Sequence, residues 1–234
     1  MKKIIAIILA AACIFAFASC DKSGDEKTLA DAIEAFTEMY AISEPTKITT
    51  NHTTQMGNIT LLGEETLVTG TIDGKVATVY QYWYEELTGI DEGGGEIIYD
   101  VKTVVSGSKE YLDGEGLRVD GGSWKKNGLN FAPTKGDIAI TITEALIKDA
   151  SFTDTTLSFT VSEENVEAVF GEGTEIEGEV KVSITSDGAV ITGILVQYVV
   201  VGEMNDDDIT YPDLVITIST SYSYDLEAVS LIKK

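Results

Sequence analysis

The sequence predicts an α+β fold: a large curved antiparallel sheet, a half-barrel, with an N-terminal helix and one or two mid-chain helices covering one face. Three observations carry that prediction. Leu29, Ala32, Ile33, Phe36, Met39 and Tyr40 recur at helical spacing between Thr28 and Ile42. From Lys47 onward the apolar period falls to two, the period of a strand. Tight-turn signals, Asp73-Gly74 and Asp187-Gly188, separate alternating runs and join them as hairpins. No solenoid period appears. Strands do not alternate regularly with crossover helices, which argues against a parallel doubly wound sheet. A sheet of about eight to eleven strands must curl, close or split.

The chain opens with Met1, Lys2 and Lys3, then an apolar run from Ile4 to Ala18. That run is shorter than the roughly 20 residues of a membrane span. A basic start, a short apolar core and small residues before a cut make a secretory signal peptide. Phe17-Ala18-Ser19-Cys20 resembles the bacterial lipobox, whose cysteine is lipidated and becomes the new N-terminus. Cys13, after Ala10-Ala11-Ala12, competes, but processing there would expose Ile14 to Phe17. Cys20 leads instead into the polar stretch DKSGDEK. The expected organisation is a signal peptide over 1–19, a lipidated Cys20 with a tether to residue 27, and one domain over 28–234. Stable anchoring takes more than one acyl chain, and a diacylglyceryl group meets that condition. The expected location is the bacterial cell membrane, lipid-anchored, with the body outside the cytoplasm.

The chain carries 16 basic and 39 acidic residues, a net charge of −23. Loss of the two signal-peptide lysines takes the body to −25. Such a surface repels phosphate backbones, which excludes nucleic acid as a partner. It also repels anionic headgroups, so a tether that holds the body off the bilayer fits. With Cys20 lipidated, no cysteine remains for a disulfide or a thiolate nucleophile.

The elements follow in order. Thr28 with Asp31 approximates a capping box for the first helix, and Pro45 stops it. Strands are expected at Lys47 to Gln55, Asn58 to Thr69, Lys75 to Leu87 and Glu96 to Ser106, with turns at Met56-Gly57-Asn58 and Asp91 to Gly95. Short strands follow at Lys109 to Leu112 and Leu117 to Val119, then a turn at Asp120-Gly121-Gly122. Pro133 to Gly136 breaks the run. Ile138, Ile140 and Ile142 alternate, whereas Ile142, Ala145, Leu146 and Asp149 have helical spacing, so a helix is read from about Thr143. Phe152 to Val161 reads as a strand. Ser162 to Phe170 reads as a short helix with Ser162 as N-cap and a Val161–Val166 staple. Val180, Val182 and Ile184 share a strand face. Ala189 to Val201 is a long strand apolar on both faces, and Leu214 to Tyr224 alternates to the end.

This order resembles the LolA/LppX-like group of lipoprotein-carrier domains. A lipobox cysteine and an amphipathic helix come first, then a meander, Gly122-Ser123-Trp124-Lys125-Lys126, a helical insertion and three long C-terminal strands. The likeness spans about residues 28 to 224. It implies a half-closed barrel whose apolar hollow is lidded by helices and holds acyl chains. It carries over no catalytic residue, because the group has none. LolA itself is soluble and shuttles, whereas a tether at Cys20 fits holding or presenting a ligand.

The candidate ligand-lining residues are Phe36, Tyr40, Tyr82, Trp83, Leu195 and Val199. Tyr80, Tyr82 and Tyr84 share one strand face; Val79 and Trp83 share the other. Either this is sheet core with a surface tyrosine ladder, or one face is a ligand groove. The Ala189 to Val201 strand poses the same choice, with Ile191, Leu195 and Val199 opposite Val190, Ile194, Val196 and Tyr198. Asn205 to Asp208 offers oxygen ligands for calcium but lacks the spacing and glycine of an EF-hand loop, so a solvated loop is expected. His52 is the single histidine, and no nucleophile motif accompanies it. Catalytic residues, metal and cofactor are therefore expected to be none. The expected function is a non-enzymatic, tethered lipoprotein, a monomer, that binds a lipid or other hydrophobic ligand in an apolar cavity. The alternative is a cell-envelope interaction module with a filled core that binds a protein or glycan.

Overall fold

The computed structural model describes residues 27–93, 96–126, 141–171, 176, 178–202 and 213–224. The expected signal peptide, Cys20, the expected tether to residue 26, the Pro133 to Gly136 break and the Asn205 to Asp208 loop lie outside the described residues.

Helix α1 spans Leu29–Ile42. Its capping box forms as expected: the Thr28 hydroxyl accepts from the Asp31 amide, and the Asp31 carboxylate accepts from the Thr28 amide at 2.8 Å. Ten strands follow: β1 Lys47–Met56, β2 Ile59–Ile72, β3 Lys75–Gly93, β4 Glu96–Leu112, β5 Gly116–Val119, β6 Ile147–Phe152, β7 Thr156–Val161, β8 Val180–Ser186, β9 Ile191–Val200 and β10 Leu214–Ser223. They form one open, curved antiparallel sheet in the order β5-β4-β3-β2-β1-β10-β9-β8-β7-β6. Each five-strand half is a meander, and the halves join where β1 pairs with β10 from Lys47↔Ser223 to Met56↔Leu214.

The fold is mostly β rather than α+β. Among the described residues the mid-chain helix is the five-residue α2, Val166–Phe170. The helix expected from Thr143 is instead a 3-10 turn, Glu144–Leu146, followed by β6. The helical spacing of Ile142, Ala145 and Leu146 comes from that 3-10 turn, which sets Ile142 and Leu146 both against the core. The β6–β7 register shifts between Lys148 and Ser151, and Asp149 takes φ 51°. An extra residue in a strand turns a spacing of two into three. Ile147, Ala150 and Phe152 consequently all pack on the core. The same device corrects β9. A register shift beside Ser186↔Ile191 turns Ile191 to the Ile194 side, where it is buried, rather than to the Leu195 and Val199 side.

Other boundaries move for local reasons. The strand expected over Phe152 to Val161 is a hairpin, because the Thr153 hydroxyl accepts the Thr156 amide at 3.0 Å and turns the chain. Ser162 makes no side-chain cap; it precedes a 3-10 turn, Glu163–Asn165, that leads into α2. Asp91 to Gly93 belong to β3 rather than to a loop. β4 runs unbroken through Gly107, because that glycine lies under the Tyr82 ring, where a Cβ would overlap the phenol.

Two cores result, on opposite faces. The larger lies between α1, α2 and strands β7–β9, and buries Phe36, Phe159, Leu157 and Val182 among others. The smaller buries Val68, Ala77, Val79 and Leu112, with Trp124 and Ile72 against them. Register makes the faces opposite: Ile194 pairs Thr220, then Thr50, Glu65 and Tyr82 in turn. Tyr82 therefore shares the face of the large core, and Val79, three residues away, takes the other.

Candidate functional site

The face that carries the large core continues past α1 onto β1–β4. One row there runs Tyr222–Ile48–Leu67–Tyr80–Lys109, each residue directly paired with the next. At about 4.8 Å per strand it spans roughly 19 Å. Ile48 is buried, and Leu67 and Tyr80 are half-buried. Tyr80, Tyr82 and Tyr84 form a ladder along β3, with ring centroids 5.7 and 6.3 Å apart. Lys109 Nζ lies 5.8 Å from the Tyr80 centroid. Burial pushes the Tyr80 phenol up to about 12, helped by the charge of Glu65 and a hydrogen bond to it.

The Tyr222 hydroxyl marks the seam between the packed core and this open surface. It is buried and has no hydrogen-bond partner among the described residues. Burial raises its pKa, and Tyr40 and Tyr224 nearby act in the same direction. An orphan buried hydroxyl costs about 1–3 kcal/mol. A ligand acceptor placed there would relieve that cost.

The six candidate lining residues do not share one surface. Phe36 and Tyr40 belong to the large core, the first buried at 3 % exposure, the second packed at its edge. Tyr82 stands on the same face, in the ladder. Trp83 lies on the opposite face, in one row with Leu195 through Ser219, Asn51 and Glu64. Val199 is also on that opposite face and is 41 % exposed. Alternation alone separates Tyr82 from Trp83, but only the strand order shows that Leu195 stands four strands from Trp83. Residue patterning placed Tyr222 on the apolar face of its strand but carries no sign that its hydroxyl lacks a partner.

His52 stands on the core-bearing face, its Nε2 4.0 Å from Glu65 Oε1. No group of three metal-ligating side chains occurs among the described residues. No helix among them is long and apolar enough to cross a membrane.

No family model matches the chain, and no curated protein matches it. Two solved structures are similar to it. A DUF1329 family protein from Desulfovibrio piger is 10 % identical over 86 % of this chain and 95 % of its own, with a TM-score of 0.28. MucB in complex with MucA(peri) is 10 % identical over 82 % of this chain and 92 % of its own, with a TM-score of 0.14. Likenesses that distant carry neither fold nor function to this chain.

Proposed function

We propose that this is a non-enzymatic, membrane-tethered extracytoplasmic lipoprotein that binds an amphipathic, lipid-like ligand at the seam beside α1. The observation that carries the reading is the Tyr222 hydroxyl, without a partner among the described residues, at the edge of the large core and at the head of the row through Ile48, Leu67 and Tyr80. The apolar body of the ligand lies along Ile48, Leu67 and the tyrosine ladder, and a polar group on it accepts from Tyr222. Tyr40 and Tyr82 flank this path; Phe36 supports it from within the core. Lipid on Cys20 supplies the tether.

The test is native mass spectrometry on residues 21–234 purified without detergent. The expected result is an added mass that organic extraction identifies as a lipid. Tyr222→Phe should weaken its retention about tenfold, the worth of one hydrogen bond. A chain that stays free of ligand when lipids are offered would overturn the reading. The packing of Phe36 and Phe159 at 3 % and 2 % exposure favours a second reading, an envelope interaction module with a filled core.

A further inference from the structure

The sheet forks. β2 and β3 pair from Ile72↔Lys75 to Gly63↔Tyr84 and stop. β2 stays with β1 down to Ile59. β3 continues from Glu85 to Gly93 with β4 alone, a ribbon about 30 Å long at roughly 3.4 Å per residue. Among the described residues nothing pairs with that part of β3 on the β2 side.

Two side chains hold the fork open. Glu85 accepts the Leu62 amide at 2.8 Å. Lys102 donates to the Thr60 carbonyl at 2.8 Å and pairs with Glu85 at 2.7 Å. The Leu62 amide and the Thr60 carbonyl of β2, which face the gap, thus take side-chain partners in place of β3. Among the described residues the free edge of β3 has no such cover. A lone two-stranded ribbon is marginally stable, and an open edge is a template for another strand.

At the crotch a pocket of about 210 Å³ opens over Gly63, lined by His52, Leu61, Glu64, Glu65, Tyr84 and Glu85 among others. Gly63 makes the room: a Cβ there would lie 3.2 Å from that of Tyr84. His52 Nε2 is buried without a hydrogen-bond partner among the described residues. Residues 85–104 carry six carboxylates and a single lysine, Lys102, which is already engaged. A second copy of this chain would bring the same negative charge, and so would a nucleic acid.

We propose that the fork docks an extended, lysine- or arginine-rich segment of a partner protein. The segment adds as a strand to β3 beyond Tyr84 and sets one basic side chain in the pocket over Gly63. Main-chain hydrogen bonds supply the affinity and the pocket the selectivity, as in other strand additions. The inference does not rest on the amphipathic ligand, although Tyr84 of the ladder borders both sites.

The test titrates the full-length chain, in non-ionic detergent at physiological salt, with three capped heptapeptides. One alternates lysine with valine, one replaces the valines by proline, and one replaces the lysines by glutamate. Trp83, which also lines the pocket, reports binding by fluorescence. The expected result is saturable binding of the lysine–valine peptide, at least tenfold weaker for the proline peptide, and none for the glutamate peptide. Glu65→Gln should weaken the lysine–valine peptide several-fold. Equal binding of the valine and proline peptides would overturn strand addition, because proline keeps the charge, removes every second amide and disfavours a regular strand. Binding of the glutamate peptide, or of no peptide, would overturn the proposal outright.

Discussion

The two halves of this sheet solve the same burial problem on opposite faces. Strands β6–β10 lie against α1 and α2 and share with them a core of thirteen buried residues among those described. Among the described residues, strands β1–β5 hold a second core of four buried residues on the other face, closed by Trp124 stacked 4.7 Å from the Arg118 guanidinium. Arg118 and Glu110 form an ion pair there, each side chain 13 % exposed. The first half is held by side-chain volume, the second by a small core rimmed with charge and by rings laid over glycine. The face left without a large core in the second half is the one that carries the tyrosine ladder and the proposed ligand path.

The contrast can be broken from either end. The largest effect is expected for Phe159→Ala, which should cost about 3–5 kcal/mol by chemical denaturation, as for other large-to-small changes in a packed core. Arg118→Ala should cost about 3 kcal/mol, because it strands Glu110 and uncovers Trp124. The double change Arg118→Met with Glu110→Leu should recover most of that loss. A double variant no better than the single would mean that the stack on Trp124, not the ion pair, holds the small core. Gly107→Ala should cost about 1–3 kcal/mol by displacing the Tyr82 ring, with a change in near-ultraviolet dichroism that Phe159→Ala variants of the other half do not share. Ser158→Ala should cost about 1 kcal/mol, since Ser158 and Ser183 share a buried hydrogen bond of 2.9 Å, and the double Ser158→Ala, Ser183→Ala should be close to neutral.

Acid gives the smallest and most selective effect. Hydrogen bonds from the Thr28 amide and hydroxyl lower Asp31, the Lys148 ammonium lowers Glu179, and the Val190 and Ala189 amides lower Asp187. All three lie with the α1 half. A depressed folded-state pKa means stability that is present above the unfolded value and lost as pH falls through the folded one. Stability should therefore decline below about pH 4.5, where these groups begin to titrate when unfolded. Amide exchange should locate that loss at α1 and at the β8–β9 turn before it reaches β3. At the alkaline end Tyr80 and Tyr222 are both raised, so stability falls as pH rises past 10 in both halves, and that limb does not separate them.

Much of the framework was legible in the chain. The capping box at Thr28, the Asp73-Gly74 hairpin with φ of 51° and 77°, and the alternation of β8 and β10 are local, and local chemistry specifies them. The misread segments have more than one cause. At Ile142 to Leu146 a 3-10 turn gave the spacing of a helix without its length, and at Ile191 to Ile194 a bulge turned a spacing of two into three, which reverses a face when read along one strand. Gly107 misled in the other direction, because its place inside β4 depends on a ring from a neighbouring strand.

By itself the sequence determined the N-terminal helix with its cap, most of the strands, the tight turn at Asp73-Gly74, the strong acidity of the body, and the basic, apolar start with a cysteine at position 20. These follow from residues within a few positions of one another, or from their sum. Only the tertiary structure decided which face of each half is buried, that Trp83 and Tyr82 look opposite ways onto different neighbours, that the Tyr222 hydroxyl is orphaned, and that β2 and β3 part at Gly63. Each of those depends on strand order and register between segments far apart in the chain, and a period of two is satisfied equally well by either face until a helix or a neighbouring ring covers one of them.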